Sequence, residues 1–211
     1  MGEKGKVEIT AATLHILAMV FMLCDHLWAM LLPAEEWLTC IGRIAFPIFA
    51  FMLVEGYFHT HDLRRYILRL LAGALLSEIP FDLMYGGSIF YPYHQNVLWT
   101  FLISLLLISV IDKARGHFKP VAAAASSAGL ALLGFLLGYV AMADYYGVGV
   151  LTVLVFYFFH HRTWKSFLGQ FICMYILNVR LLGGYYYTVI LFGHEFEVIQ
   201  QGLALLALIP I

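Results

Sequence analysis

Charge is scarce in this chain. Asp, Glu, Lys and Arg make up 12% of its 211 residues, about half the share usual in a soluble globular domain. Apolar residues make up 63%, and mean hydropathy is +0.87. A soluble fold of this length has too little interior to hide so much apolar surface, so lipid must cover it. The net charge of -1 supplies no basic surface for a nucleic-acid partner. Gly/Ser-rich linkers, low-complexity tails and internal repeats are all lacking, so one membrane domain is expected over residues 1–211. Cysteine is limited to Cys24, Cys40 and Cys173, each inside an apolar run and without a CxxC or Cys/His ligand spacing. They read as small buried hydrophobes, and neither a disulfide framework nor a metal site is expected.

The N-terminal region lacks the short apolar core and small-residue cleavage site of a secretory signal. The position where a myristoylation signal wants Ser or Thr holds Lys6. The run from Ala11 to Leu32 is instead long enough for a first membrane helix.

Apolar segments predict an all-α polytopic transmembrane bundle of about eight spans. They lie at about 11–32, 37–58, 65–85, 97–112, 121–143, 147–160, 165–182 and 196–211. The stretch Gly183–Gly193 is too short to span and reads as an interfacial or re-entrant loop. With the N-terminus in the cytoplasm, Lys4, Lys6, Arg64, Arg65, Arg69, Lys113, Arg115, Lys119, Arg162 and Lys165 all fall on the inner side. That is ten of the twelve Lys and Arg residues, the bias that the positive-inside rule demands. Trp37, Tyr91, Tyr93, Tyr145 and Tyr146 near the outer loops read as an interfacial aromatic belt.

An ionisable side chain inside hydrocarbon costs roughly 3 kcal/mol on insertion scales, so each one is a functional candidate. By depth, Asp25, His26, Arg43, Glu78, Asp82 and Asn96 share one layer near the outer side, while Glu55 lies near the inner end. Helical spacing puts His15, Met19, Met22 and His26 on one stripe of the first helix. Asp25 points about 100° away from His26, which makes a carboxylate on another helix, Glu78, the expected orienting partner. Pro47 and Pro80 remove helix hydrogen bonds to the carbonyls of Arg43 and Leu76, and both kinks flank the polar layer. The bland alternative is an ion-pair network of Arg43 with Asp25 or Glu78 that fixes helix register. His26 stands out because imidazole exchanges protons near neutrality. At the inner face Arg65 and Arg69, four residues apart beside His59, His61 and Arg64, suit a phosphate-bearing ligand or lipid headgroups.

These residues carry a resemblance. Met22-Leu23-Cys24-Asp25-His26, the run from Ile41 to Phe51 with Gly42, Arg43 and Pro47, Val54-Glu55-Gly56 to Thr60, Arg65 to Leu70, Ser77 to Asp82, Asn96 and Gln200-Gln201 together resemble the TraX family, linked to N-acetylation of conjugative pilin. The family looks related to multi-pass membrane acyltransferases. The resemblance implies an acetyl-CoA-dependent O- or N-acyltransferase of the cytoplasmic cell membrane, with His26 as the catalytic histidine and Asp25 beside it. Arg43, Glu55, Glu78, Asp82 and Asn96 would form the substrate-binding set. His15, Arg65 and Arg69 would serve acetyl-CoA, phosphates at the arginines and pantetheine along the His15–His26 stripe. His26 would act as general base or as a transient acyl carrier, with Arg43 or Asn96 polarising the carbonyl. The acceptor would be a pilin N-terminus, a glycan or a small molecule. Family members usually continue into a Tyr-Asn-Gly-type loop and a Tyr-Pro-x-His-Leu-like motif, neither of which occurs before Ile211, so a C-terminal segment is expected to be missing. Two other classes compete on the residues alone: a small-solute or ion transporter, and a non-catalytic membrane assembly factor.

Overall fold

A computed structural model describes residues 10–191 and 193–211; Lys4 and Lys6 lie outside the described residues. Eight α-helices fill most of it: α1 (Ala11–Met30), α2 (Glu36–Gly42), α3 (Ala45–His59), α4 (Leu63–Gly86), α5 (Val97–His117), α6 (Pro120–Val140), α7 (Tyr146–Phe158) and α8 (Trp164–Tyr175). Side chains mark where several of them start. Thr10, Asp62, Asn96 and Thr163 each accept a backbone N–H from the first turn that would otherwise lack a partner. Among the described residues, four stretches are long and apolar enough to cross a membrane: Ala11–Met30, Glu36–His59, Val97–His117 and Pro120–Val140. The chain is an all-α membrane bundle with one small strand pair.

The expected single helix over 37–58 is broken. Pro47 has no N–H to give the Arg43 carbonyl, and the chain turns at Arg43 and Ile44 before α3 begins. Pro47 then sits in the first turn of α3, where the missing donor is harmless. Pro80, by contrast, stays inside a continuous α4.

The C-terminal expectation is overturned. α8 runs on into a π-helical segment, Ile176–Leu182, and ends at Gly183 and Gly184, both at positive φ. An antiparallel hairpin follows, β1 (Tyr186–Leu191) and β2 (His194–Ile199), with Tyr186 opposite Ile199. The loop expected over 183–193 is therefore half a hairpin, and the span expected over 196–211 is a strand plus a 3-10 helix, Gln200–Leu208. Alternation in Glu195-Phe196-Glu197-Val198 is a strand period. Nine residues of 3-10 helix reach only about 18 Å, well short of the roughly 30 Å hydrocarbon layer.

α7 is the centre of the bundle. Gly147 to Tyr157 are buried almost without interruption, packed by α3, α5, α6 and α8. At 13 residues it covers only about 20 Å, which is tolerable because protein rather than lipid surrounds it. Glycine makes the fit. A Cβ on Gly138 of α6 would lie 2.6 Å from the Tyr146 carbonyl and 2.8 Å from the Gly147 backbone, so the two helices touch backbone to backbone.

Polar bonds tie the ends. Tyr57 and Tyr157 both donate to Asp112, at 2.9 and 3.0 Å, and His160 meets Glu55 at 2.9 Å. These contacts gather the C-terminal ends of α3, α5 and α7, and with them Arg64, Arg65, Arg69, Lys113, Arg115, Lys119, Arg162 and Lys165, at one basic end. At the opposite end Gln95 donates to the Met142 carbonyl at 2.9 Å and accepts from Asp144 N–H at 3.0 Å, joining the α4–α5 and α6–α7 loops.

Gly147→Val should lower the unfolding temperature in detergent, consistent with about 1–3 kcal/mol of overpacking. Gly129→Ala, where an added methyl meets nothing within 4 Å, should not. Equal melting of the two variants would refute the backbone contact as a stability determinant.

Candidate functional site

Gly42 lets α1 and α2 approach closely, because any side chain there would run into Asp25. That approach delivers Asp25 to Thr39, a fully buried hydroxyl. Thr39 Oγ1 donates to Asp25 Oδ1 at 2.7 Å and accepts from Arg43 Nη2 at 2.9 Å and Gln200 Nε2 at 3.0 Å. A hydroxyl has one proton and two lone pairs, so every capacity is used. Arg43 also faces Asp25 directly at 3.5 Å. The Arg43 Nε is buried and without a partner among the described residues.

A second polar group lies on α4. Glu78 Oε2 accepts from Trp99 Nε1 at 2.7 Å and from the Asn96 amide, which also donates to the Ala74 carbonyl at 2.9 Å. Asn96 Oδ1 caps α5 through Leu98 N–H at 3.0 Å. Asp82, only 3% exposed, accepts Tyr91 N–H at 2.9 Å. Glu78 Oε1 and Asp82 Oδ1 remain buried and unpartnered among the described residues.

Between these groups is a cavity of about 850 Å³. His15, Met19, Met22 and His26 all line it, so the stripe expected on the first helix faces one space. Its walls are otherwise apolar, with Phe46, Phe49, Phe81 and Phe101 prominent, and Asp25, His26, Asn96 and Asp144 supply polarity toward the end away from the basic face. Tyr145 stacks on Phe46 with ring centroids 4.2 Å apart, and it lines the cavity. It does not belong to the aromatic belt in which the sequence put it. Its positive φ of 60° turns it inward at the start of α7.

At the basic end a second cavity of about 500 Å³ is lined by Gly56, His59, Thr60, Asp62, Arg65, Tyr66 and Arg69. Arg65 Nε bonds Asp62 at 3.0 Å, and Arg69 is exposed. Tyr66 lines both cavities. Its hydroxyl reaches the Leu53 carbonyl at 3.4 Å and fills the space that the absent side chain of Gly56 leaves.

The structure thus brings Asp25, His26 and Asn96 to one end of one cavity and His15 to its wall. Arg43, Glu78 and Asp82 stand around that end without lining it. Glu55 is apart from them, at the basic end with His160 and with His59 at 3.8 Å. Arg43 pairs with Asp25 and not Glu78. The orienting role expected of Glu78 toward His26 is not seen: its carboxylate goes to Trp99 and Asn96, and His26 forms no hydrogen bond among the described residues. Sequence reasoning missed Thr39, Gln200, Trp99, Asp144 and Tyr66. Thr39 had a signal, four residues before Arg43 on the same helical face; Gln200 was named only for the family resemblance, and nothing in the sequence pointed to its bond with Thr39, 161 positions away.

The TraX protein family matches residues 10–201. The "Probable fimbrial assembly protein FimC, serogroup H1" of Dichelobacter nodosus is 29% identical over 115 residues, covering 49% of this chain and 47% of that relative. The match thus spans about half the length of that relative. No solved structure matches.

Thr39→Val should destabilise the protein by about 1.5–3 kcal/mol, since it removes bonds to charged partners, while Thr39→Ser should recover most of the loss. Detergent unfolding curves check this, and a wild-type curve for Thr39→Val would remove the hydroxyl from the account.

Proposed function

This chain belongs to the TraX family, and from that membership we propose that it is an acetyltransferase of the cytoplasmic membrane, moving acetyl groups from acetyl-CoA to an acceptor at the far face. The observation that supports the reading is that two cavities, one basic and one reaching His26, both have Tyr66 in their walls, so that a path between them would pass this side chain. A donor with phosphates and a long thin arm fits such a path: Arg65 and Arg69 supply charge for phosphates, and the apolar bore takes the arm. The basic end would face the cytoplasm, as the positive-inside rule requires.

At the polar end the acceptor nitrogen or oxygen attacks the thioester carbonyl carbon. The new C–N or C–O bond forms as the C–S bond breaks. His26 takes the acceptor proton and returns it to the departing sulfur, so amide or ester and free thiol balance the reaction. Both N–H groups of Asn96 are committed to Glu78 and the Ala74 carbonyl, so the buried Arg43, whose Nε has no partner among the described residues, is the group that would polarise the oxygen that gains charge. Asp25, held by Thr39 and Arg43, fixes the wall beside His26.

A second reading, a non-catalytic assembly factor, draws on the name of the Dichelobacter relative. It differs in one respect: acetyl-CoA would not turn over.

Labelled acetyl-CoA and proteoliposomes decide the matter. His26→Ala should abolish transfer with the fold intact. Arg65→Gln with Arg69→Gln should raise KM for acetyl-CoA about tenfold or more, the effect of losing at least 1.4 kcal/mol of phosphate binding, with kcat little changed. Full activity in His26→Ala would discard the mechanism, and absence of turnover in wild type would favour the assembly reading.

A further inference from the structure

The large cavity has a missing wall. α1 packs on α2 and α3, and α4 packs on α5, whereas among the described residues α1 and α4 share no extensive packing interface. Both helices nevertheless line the cavity, α1 through Met19 and Met22 and α4 through Ser77 and Pro80. Met19 is 49% exposed and Pro80 is also exposed, so cavity-lining residues on both sides reach the molecular surface. Met19 lies near the middle of a membrane-crossing helix. The gap therefore opens sideways into the hydrocarbon layer, where the material at hand is lipid.

Size narrows the occupant. A helix about 10 Å across would fill 850 Å³ with roughly seven residues, far fewer than the ~20 needed to cross a bilayer. A single alkyl chain is thin enough. Polarity orients it, because Asp25, His26 and Asn96 cluster at one end and Met and Phe line the rest. Methionine suits a chain of variable shape, being flexible and polarisable.

We propose that the slot between α1 and α4 admits a membrane-resident amphiphile from the bilayer, and that its headgroup amine or hydroxyl is the acetyl acceptor at His26. The chain lies against Met19 and Met22, and the head lies about 10 Å away along α1, seven residues on at His26. The slot follows from the geometry alone; the acceptor role rests on the acetyltransferase reading.

A long-chain alkylamine carrying a photoreactive diazirine in its chain tests both parts in proteoliposomes. Without acetyl-CoA, labelling should map to slot-facing residues of α1 and α4. It should fall about tenfold in Met19→Trp, as expected when at least 1.4 kcal/mol of binding is lost, and stay unchanged in Ile16→Trp on the outer face of α1. With labelled acetyl-CoA, the alkylamine should be acetylated at least about tenfold faster than a short water-soluble amine. Labelling spread over the outer surface, or indifferent to Met19→Trp, overturns the slot. Equal transfer to the soluble amine, or transfer to peptide N-termini alone, overturns the acceptor class and leaves the acetyltransferase reading intact. Slot labelling with no transfer to the alkylamine, to its long-chain alcohol counterpart or to any soluble amine or alcohol sinks that reading and the acceptor role with it, leaving a lipid slot.

Discussion

Three parts of the chain that are far apart in sequence meet on one hydroxyl. Thr39 holds Asp25 of α1, Arg43 at the break before α3, and Gln200 at the start of the final 3-10 helix. In an apolar interior each of those groups would be expensive if unpaired. The hydroxyl joins a carboxylate, a guanidinium and an amide without adding charge of its own. The break in the second span occurs beside this node, and Pro47, just after it, sets where α3 begins. Phe46 and Phe49 then become walls of the central cavity.

The cavity exists because of where close packing stops. Glycines draw α6 onto α7 and α2 onto α1 until backbones or a carboxylate meet. Among the described residues no glycine contact of this kind joins α1 to α4. The bundle is therefore tight around α7 and open on one flank, and the cavity behind that flank leads to the polar layer.

Two kinds of polar group serve different ends of the molecule. At the basic end, Asp112 with two tyrosines and Glu55 with His160 lock helix termini together. At the other end, His26 has no hydrogen-bond partner among the described residues, while its surroundings are bonded to one another. A histidine inside a membrane protein that is spared from structural duty, and faces a cavity, is available for proton exchange. That asymmetry, more than the mere presence of buried charge, separates His26 from His160.

By itself the sequence determined the membrane class, most helix positions, the broken step at Pro47 in the form of a lost hydrogen bond, and the stripe of His15, Met19, Met22 and His26. All of these follow from composition and from the fixed periods of the helix, which are local properties. Arg43 with Asp25 was legible only as one of two pairings, because depth in the membrane ranks partners but rotation about each helix chooses among them. The tertiary structure alone decided that Glu78 serves Trp99 and Asn96, that Glu55 belongs to the basic end with His160, and that Tyr145 turns inward. It also replaced the last expected span by a hairpin and a short helix, since apolar residues of that number stabilise either form and only their partners select one. The open flank between α1 and α4 was likewise invisible in the sequence, because a missing contact between two helices leaves no mark on either of them.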